Sequence, residues 1–142
     1  MSSVDLPEWP AGTVTFLSTG GGAPHVIPVS AAVRAGPARI LLALAPRRES
    51  LQRLREEPRV ALAILAAGNV AVTAEGLASV VAEPLPGAPA VVGVELVVER
   101  IQDHGKRHFE ITGGVHWHWV DEEAARRDAI VRVALAALAS GG

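Results

Sequence analysis

Hydrophobic residues in the first hundred positions occur in short runs of strand length, separated by turn residues. The first three runs are residues 13–18 (TVTFLS), 25–34 (HVIPVSAAVR) and 39–45 (RILLALA). Three more runs follow, at residues 59–65, 69–83 and 91–102. Apolar runs rich in β-branched residues and bounded by glycine or proline are typical of strands. Gly76 interrupts the fifth run, which predicts a bulge or a bend.

Two other segments follow the helical period. In residues 48–57, Leu51 and Leu54 lie three positions apart and Pro58 ends the pattern, so a short amphipathic helix is predicted. A second helix is predicted over residues 122–139, with Asp121 as its N-cap. Three acid-to-arginine pairs at i,i+4 support it: Glu122–Arg126, Glu123–Arg127 and Asp128–Arg132. Its apolar stripe is expected to contain Ile130, Val133, Ala134, Ala137 and Leu138.

These elements predict one domain over residues 1–142, mainly β with α+β character. Six or seven antiparallel strands form a small barrel, with a short helix after the third strand and a second helix at the end. Residues 1–12 are an N-terminal extension, and the C-terminal helix occupies residues 121–139. A chain of 142 residues is long enough to bury a hydrophobic core without disulfides.

Composition excludes several classes of function. Thirteen Lys and Arg stand against fifteen Asp and Glu, a net charge of −2 that provides no basic surface for nucleic acid. No cysteine is present, so disulfides and thiolate metal sites are excluded. The first residues lack the charged and apolar parts of a signal peptide, and no apolar run is long enough to span a bilayer. We therefore expect a cytoplasmic protein without nucleic-acid or membrane partners.

Gly20, Gly21 and Gly22 raise the question of a phosphate-binding loop. Such loops lead directly into a helix, whose N-terminus attracts the anion. Here residues 23–29 (APHVIPV) contain two prolines and three β-branched residues, which favour a strand. The glycines therefore predict a hairpin turn, and His25 is interpreted as an exposed residue at a strand edge.

Residues 107–120 (RHFEITGGVHWHWV) are predicted to form a hairpin that turns at the two glycines. Alternation places His116 and His118 on one face, an arrangement that suggests a metal site. In the register of a two-residue turn, however, His108 lies on the other face with the tryptophans, so a third ligand is missing. The pattern favours a strand with a buried tryptophan face, and no metal site is expected. A register shifted by one residue would restore the ligand set, so haem or metal binding through His116 and His118 remains a third, less favoured hypothesis.

A cationic turn at residues 45–50 (APRRES) is the best candidate for binding a phosphate. Arg47 and Arg48 offer planar guanidinium donors, and Ser50 offers a hydroxyl. The predicted helix start adds free main-chain N–H groups. An alternative is a solvated first turn whose arginines pair with Glu49 or with other acids nearby. The residues alone leave both interpretations open.

The order of these segments resembles the pyridoxamine 5′-phosphate oxidase-like, FMN-binding split-barrel family. The likeness covers residues 13–81, through the phrases TVTFLSTGGGAPHVIPVS, ARILLALA, SLQRLREEPRVALAIL and VAVTAEGLASVV. It implies an antiparallel split β-barrel, a homodimer, and FMN bound between the subunits. Several family positions differ: Ser50 stands where a lysine is usual, the usual threonine falls at Leu44 or Ala45, and Ile27 stands where true pyridoxamine phosphate oxidases have an arginine. The substrate-binding arginine and histidine at the C-terminus of those oxidases have no match in this chain.

The resemblance also implies where the cofactor lies. The flavin ring is expected beside the second strand, at Ile27, Pro28, Val29 and Ser30. The phosphate is expected at the turn that contains Ala45, Arg47, Arg48 and Ser50. The predicted function is an FMN-dependent oxidoreductase with an unidentified substrate. The alternative is a non-catalytic split barrel that binds a flavin or another small ligand, and deazaflavin and haem are further candidate cofactors.

Overall fold

The computed structural model of the protein describes residues 4–105 and 108–141. The strands are β1 (Thr15–Thr19), β2 (His25–Val29), β3 (Ala32–Gly36), β4 (Arg39–Leu44), β5 (Arg59–Ala66), β6 (Val70–Ala82) and β7 (Val92–Asp103). The helices are α1 (Glu49–Glu56) and α2 (Glu122–Gly141). All seven strands form one antiparallel sheet in the order β2-β1-β5-β6-β7-β4-β3, curled into a half-barrel. The predicted fold class is confirmed.

The prediction of one strand over residues 25–34 is wrong, because the chain breaks at Ser30 and Ala31 into β2 and β3. β2 pairs with β1 at one edge of the sheet, whereas β3 pairs with β4 at the other edge. The main-chain N–H of Ala43 donates to the carbonyl of Ala31 at 3.1 Å, which holds the corner. Since two residues join the two edges, the sheet must curl back on itself.

The inner side of the curled sheet carries the core. Alternate residues of the strands point inward, among them Leu17, Leu42, Leu62 and Leu96, all with 0% exposure. At Gly76 the register of β6 against β7 shifts, which confirms the predicted bulge. A Cβ at this position would lie 1.9 Å from the carbonyl oxygen of Val97, so the close approach of the two strands requires glycine.

The first helix, α1, lies within one residue of its predicted span at each end. Leu51 and Leu54 pack into the core, as their spacing predicts. At the C-terminal end, the main-chain N–H of Glu57 donates to the carbonyl of Arg53 at 2.8 Å, and Pro58 follows. This helix connects β4 to β5 and brings its first turn beside the start of β2.

The second helix, α2, starts where predicted, but the stripe through which it packs matches the predicted stripe only in part. The Asp121 carboxylate accepts a hydrogen bond from the main-chain N–H of Ala124 at 2.8 Å, which confirms the N-cap. Ala134 and Leu138 pack as predicted, but Ile130 and Val133 are 50% and 69% exposed, and Leu135, which the prediction left out, is fully buried. Because apolar residues surround the second half of this helix, tertiary contacts choose the stripe. The residues that pack on the outer side of β3 and β4 are Val131, Ala134, Leu135, Leu138 and Ala139.

The predicted hairpin at residues 107–120 is also wrong. Residue 107 lies outside the described residues, and residues 108–120 contain no strand. The Asn69 side chain holds this segment instead, donating to the carbonyl of Phe109 at 3.0 Å and accepting from the N–H of Ile111 at 2.6 Å. The tryptophan side chains are not buried, since Trp117 and Trp119 are 37% and 41% exposed. Side-chain hydrogen bonds to the main chain therefore replace the expected ladder.

The N-terminal extension packs against the β3–β4 end of the sheet. Leu6 is buried, its N–H donates to the carbonyl of Pro37 at 2.8 Å, and the Trp9 indole N–H donates to the carbonyl of Ala32 at 3.0 Å. Within residues 4–105 and 108–141, neither helix has the length and apolar character needed to cross a membrane. The same residues contain no cluster of three or more side chains that could hold a metal ion.

Candidate functional site

The turn between β4 and α1 exposes three of the four predicted phosphate-site residues, Ala45, Arg47 and Arg48, at a helix N-terminus without a side-chain cap. Arg48 occupies the N-cap position with extended backbone angles (φ −65°, ψ 133°) and makes no side-chain capping bond. Its own N–H donates to the carbonyl of Ala45 at 3.1 Å, which closes the turn. The first main-chain N–H groups of a helix have no acceptor within the helix. At the start of α1, however, the N–H of Leu51 already donates to the carbonyl of Arg48 at 3.1 Å, and Ser50 is fully buried. The N–H of Glu49 is therefore the helix donor that an external acceptor can reach.

The electrostatics of this turn favour an anion. The side chains of Arg47 and Arg48 are exposed and form neither an ion pair nor a hydrogen bond with the described residues. The nearest acid, Glu49, is already engaged: its Oε2 accepts from Arg53 Nε at 2.7 Å and lies 3.4 Å from His25 Nδ1. A hydrogen bond from Arg53, with the charges of Arg53 and His25, holds the pKa of Glu49 below its usual value. Glu49 therefore leaves the two preceding guanidinium groups uncompensated.

Ser50 does not offer its hydroxyl to the same turn. The residue is fully buried, and its Oγ lies 3.1 Å from His25 Nε2 on β2. With none of its surface exposed, Ser50 offers a ligand neither its hydroxyl nor its main-chain N–H. His25, interpreted from the sequence as an exposed edge residue, is 23% exposed in its side chain and ties β2 to α1.

Arg53 fixes the glycine turn to the same helix. Its Nη1 donates to the carbonyl of Ala23 at 2.7 Å and reaches the carbonyl of Gly20 at 3.5 Å. Gly21 and Gly22 have φ values of +83° and +115°, angles that favour glycine. The prediction that the three glycines form a hairpin turn rather than a phosphate loop is confirmed by the β1–β2 pairing.

The four residues expected beside a flavin ring do not all face the same way. Ile27 and Val29 point into the core, with exposures of 9% and 5%. Pro28 is exposed on the outer side of β2, and Ser30 is half-buried at the corner, where its carbonyl accepts from Arg132 Nη2 at 3.1 Å. β2 is an edge strand, so a ring could bind to its unpaired main-chain groups beside Pro28.

Sequence reasoning did not assign His25 or Arg53 to this site, and it named Glu49 only as a possible partner of the exposed arginines. The i,i+4 spacing of Glu49 and Arg53 was a visible signal for their ion pair. No sequence signal pointed to the partnership of His25 with Ser50, because the two residues lie 25 positions apart on different elements. The structure thus joins the β2 start, the glycine turn and the α1 N-terminus into one unit.

Comparison with known proteins supports the fold. No protein-family model matches the chain, and no curated protein matches it. Among solved structures, a Lactobacillus delbrueckii protein provisionally named a pyridoxamine 5′-phosphate oxidase is 18% identical, with a TM-score of 0.55 over 63% of this chain and 84% of that one. An F420 reductase is 12% identical, with a TM-score of 0.57 over 66% of this chain and 91% of that chain.

A third similar structure is a FAD-binding protein from Mesorhizobium loti. It is 15% identical, with a TM-score of 0.54 over 64% of this chain and 84% of that chain. At such identities the likeness establishes the fold. The split barrel implied by the order of the sequence segments is therefore confirmed.

Proposed function

We propose that the chain binds FMN, with the phosphate at the N-terminus of α1, and acts as a homodimeric flavin-dependent oxidoreductase. One observation carries the proposal: two guanidinium groups without partners among the described residues flank an uncapped helix N-terminus, next to an edge strand. Proteins of similar fold include one that binds FAD and one named for F420 reduction.

The residues present fit a phosphate. Arg47 and Arg48 supply charge-assisted donors, and the N–H of the exposed residue Glu49 adds a donor at the positive end of the helix dipole. Arginine suits this task because its planar fork can donate two parallel hydrogen bonds to phosphate oxygens. Ala45 closes the turn by accepting a hydrogen bond from the N–H of Arg48, and the buried Ser50 holds the helix start through its contact with His25.

The ring would lie along β2 toward the corner at Ser30. Pro28 and Val26 provide an apolar surface on the outer side of this strand, and Val26 is 61% exposed. A bound flavin supplies the hydride or electron chemistry, while the protein positions it and excludes water. Ile27 and Val29 act from the core side by holding the strand in place.

A second copy of the chain is the proposed cover for this side of the sheet. The open face, defined as the outward side of β1, β2 and β5, exposes Phe16 by 40%, Val26 by 61% and Leu65 by 50%. Adjacent apolar side chains on an otherwise regular sheet are typical of an interface between subunits. Since the open face includes β2, a dimer formed there would enclose the ring between two subunits.

One observation favours the alternative function, a split barrel that binds a small ligand without catalysis. The Ser50 hydroxyl is committed to His25, so the phosphate loses one side-chain donor that the sequence suggested. The absorbance of the purified protein separates the candidates, because flavin, haem and the colourless apoprotein differ in the visible range. A colourless protein that fails to bind added FMN would contradict the flavin proposal.

Titration of FMN into the protein, followed by flavin fluorescence, tests the phosphate site. The Arg47→Ala/Arg48→Ala double variant is expected to weaken binding by about a hundredfold or more, since charge-assisted hydrogen bonds contribute roughly 1.5–3 kcal/mol each. The matched control is Arg59→Ala/Arg100→Ala, which removes two side chains that are 76% and 67% exposed elsewhere. Equal affinities in the two double variants would remove Arg47 and Arg48 from the site.

A further inference from the structure

A second cleft lies at the end of β1 opposite the glycine turn. Its volume is about 740 Å³, and its walls are residues 10–14 before β1, the end of β5, the segment 113–119 and one side of α2. The phosphate-binding arginines do not line it. The cleft is therefore a separate feature from the proposed cofactor site, and its chemistry can be considered independently.

Two tryptophans give the cleft an aromatic wall. The rings of Trp117 and Trp119 meet edge to face, with centroids 5.1 Å apart and planes at 89°. The Trp117 indole N–H donates to the carbonyl of Gly12 at 2.9 Å, which fixes one ring across the cleft. Both side chains remain about 40% exposed (37% and 41%), so each keeps apolar surface that a planar ligand can cover.

The second feature is a guanidinium group with a missing partner. Arg132 lines the cleft, and its Nε donates to Asp128 Oδ2 at 2.7 Å while its Nη2 donates to the carbonyl of Ser30 at 3.1 Å. Its Nη1 is buried and has no hydrogen-bond partner among the described residues. A buried donor without an acceptor is costly, and an oxygen atom supplied by a ligand would satisfy it.

The charges around Arg132 limit which oxygen ligand fits. Asp128 already balances the guanidinium charge, and its side chain is only 16% exposed. A doubly charged phosphate would therefore leave uncompensated negative charge beside a half-buried carboxylate. A carboxylate brings one negative charge instead of two, so less charge has to be balanced. His116 and His118 line the same cleft and can donate ring N–H groups to the carboxylate.

We propose that this cleft binds a small planar aromatic carboxylate. The ring packs against Trp117 and Trp119, and a carboxylate oxygen accepts from Nη1 of Arg132. Since Nη1 is buried, the segment 113–119 must shift slightly to admit the oxygen; this segment has no regular secondary structure. The proposal does not depend on flavin binding, so both can be tested on the same apoprotein without confusion.

Calorimetric titration with 2-naphthoate tests the proposal. We expect saturable binding with one molecule per chain, and weaker binding of the uncharged 2-naphthamide. In NMR spectra of ¹⁵N-labelled protein, the indole N–H signals of Trp117 and Trp119 should shift on binding, whereas that of Trp9 should not. Absence of binding at millimolar 2-naphthoate would overturn the proposal, as would shifts confined to Trp9. Equal affinity for 2-naphthamide would overturn the carboxylate assignment.

Two variants locate the binding site. Arg132→Gln should weaken 2-naphthoate binding by about tenfold or more, the loss of one charge-assisted hydrogen bond. The matched control is Arg126→Gln, which removes the same charge from an exposed position on α2 that does not line this cleft. If the Arg132→Gln variant does not fold, the Trp119→Leu variant tests the proposal instead. A Trp119→Leu protein that binds 2-naphthoate as tightly as the wild type would contradict the proposal.

Discussion

The two ends of the curled sheet carry similar outward side chains but have different surroundings. On β3 and β4, the outward residues Val33, Leu41 and Ala43 lie under α2, and Leu41 has 0% exposure. We call this the covered face. On the open face, Leu65 is 50% exposed although it is the same residue type on the same sheet.

The difference lies in which later part of the chain returns to each face. After β7, the chain crosses the end of the open face in segment 108–120 and then forms α2 over β3 and β4. The covered face is thereby completed within one subunit, whereas the open face is left with exposed apolar surface. The covered face therefore stabilises the subunit, and the open face is the surface at which we propose assembly and flavin binding.

The largest expected effect is on the covered face. Leu41→Ala should lower the free energy of unfolding by about 2–5 kcal/mol, because a fully buried leucine leaves a cavity between the sheet and α2. Urea denaturation followed by circular dichroism measures this. Leu65→Ala on the open face is the control and should change subunit stability by less than about 0.5 kcal/mol at low protein concentration. If both variants lost a similar amount of unfolding free energy, the covered face and the open face would not differ in their contribution to subunit stability.

The next prediction concerns assembly at the open face. The wild-type protein should have a mass near twice 14.7 kDa by light scattering, and Leu65→Glu should reduce it to a single chain, since a buried carboxylate would lack a partner. Val133→Glu serves as the control, because Val133 is apolar and 69% exposed but lies on α2. If Val133→Glu dissociated the dimer and Leu65→Glu did not, the subunit interface would lie on α2 and not on the open face.

A smaller effect is expected at the start of α2, which holds the helix over the covered face. Asp121→Ala removes the side-chain oxygen that accepts from the N–H of Ala124, and should cost about 1 kcal/mol of stability. Glu122→Ala is the neighbouring control, since it retains the cap. Thermal unfolding of both variants checks the prediction, and an equal shift in Tm would show that the cap contributes nothing.

The smallest expected effect is a pH dependence of the folding stability. It arises where His25, Glu49 and Arg53 connect β2, a strand of the open face, to α1. The pKa of Glu49 lies below its ordinary value of 4.5, chiefly because Arg53 donates a hydrogen bond to it. Ionised Glu49 therefore stabilises the folded protein above pH 4.5, and this contribution is lost as the pH falls through the lowered pKa.

Denaturant unfolding measured at several pH values tests whether the stabilising contribution of Glu49 falls with decreasing pH. The stability difference between the wild type and Glu49→Gln should shrink as the pH falls below the ordinary value of 4.5. Glu56→Gln, an exposed position on the same helix, is the control and should leave the pH dependence of the wild type unchanged. A difference that grows with acid would contradict the assigned role of Arg53.

Local patterns predicted most elements because their causes are local. Leu51, Leu54 and Pro58 determine α1, Asp121 caps α2, and Gly76 marks the bulge, each through spacing or backbone freedom that neighbouring residues decide. The elements indicated a small barrel, and the resemblance of their order to a known family indicated the split barrel. The cationic turn was also visible, since Arg47 and Arg48 lie at the predicted helix start.

The sequence by itself determined most of the strands and the two helices, because propensity and periodicity act within a few residues. Only the tertiary structure decided the rest: that the run 25–34 breaks into β2 and β3, which residues of α2 are buried, that residues 108–120 form no hairpin, and that Ser50 turns toward His25. These outcomes depend on contacts between distant positions, such as Arg132 with Ser30 and Asn69 with Phe109. Such contacts form only when the sheet curls, and nothing in the local pattern of either partner specifies the other.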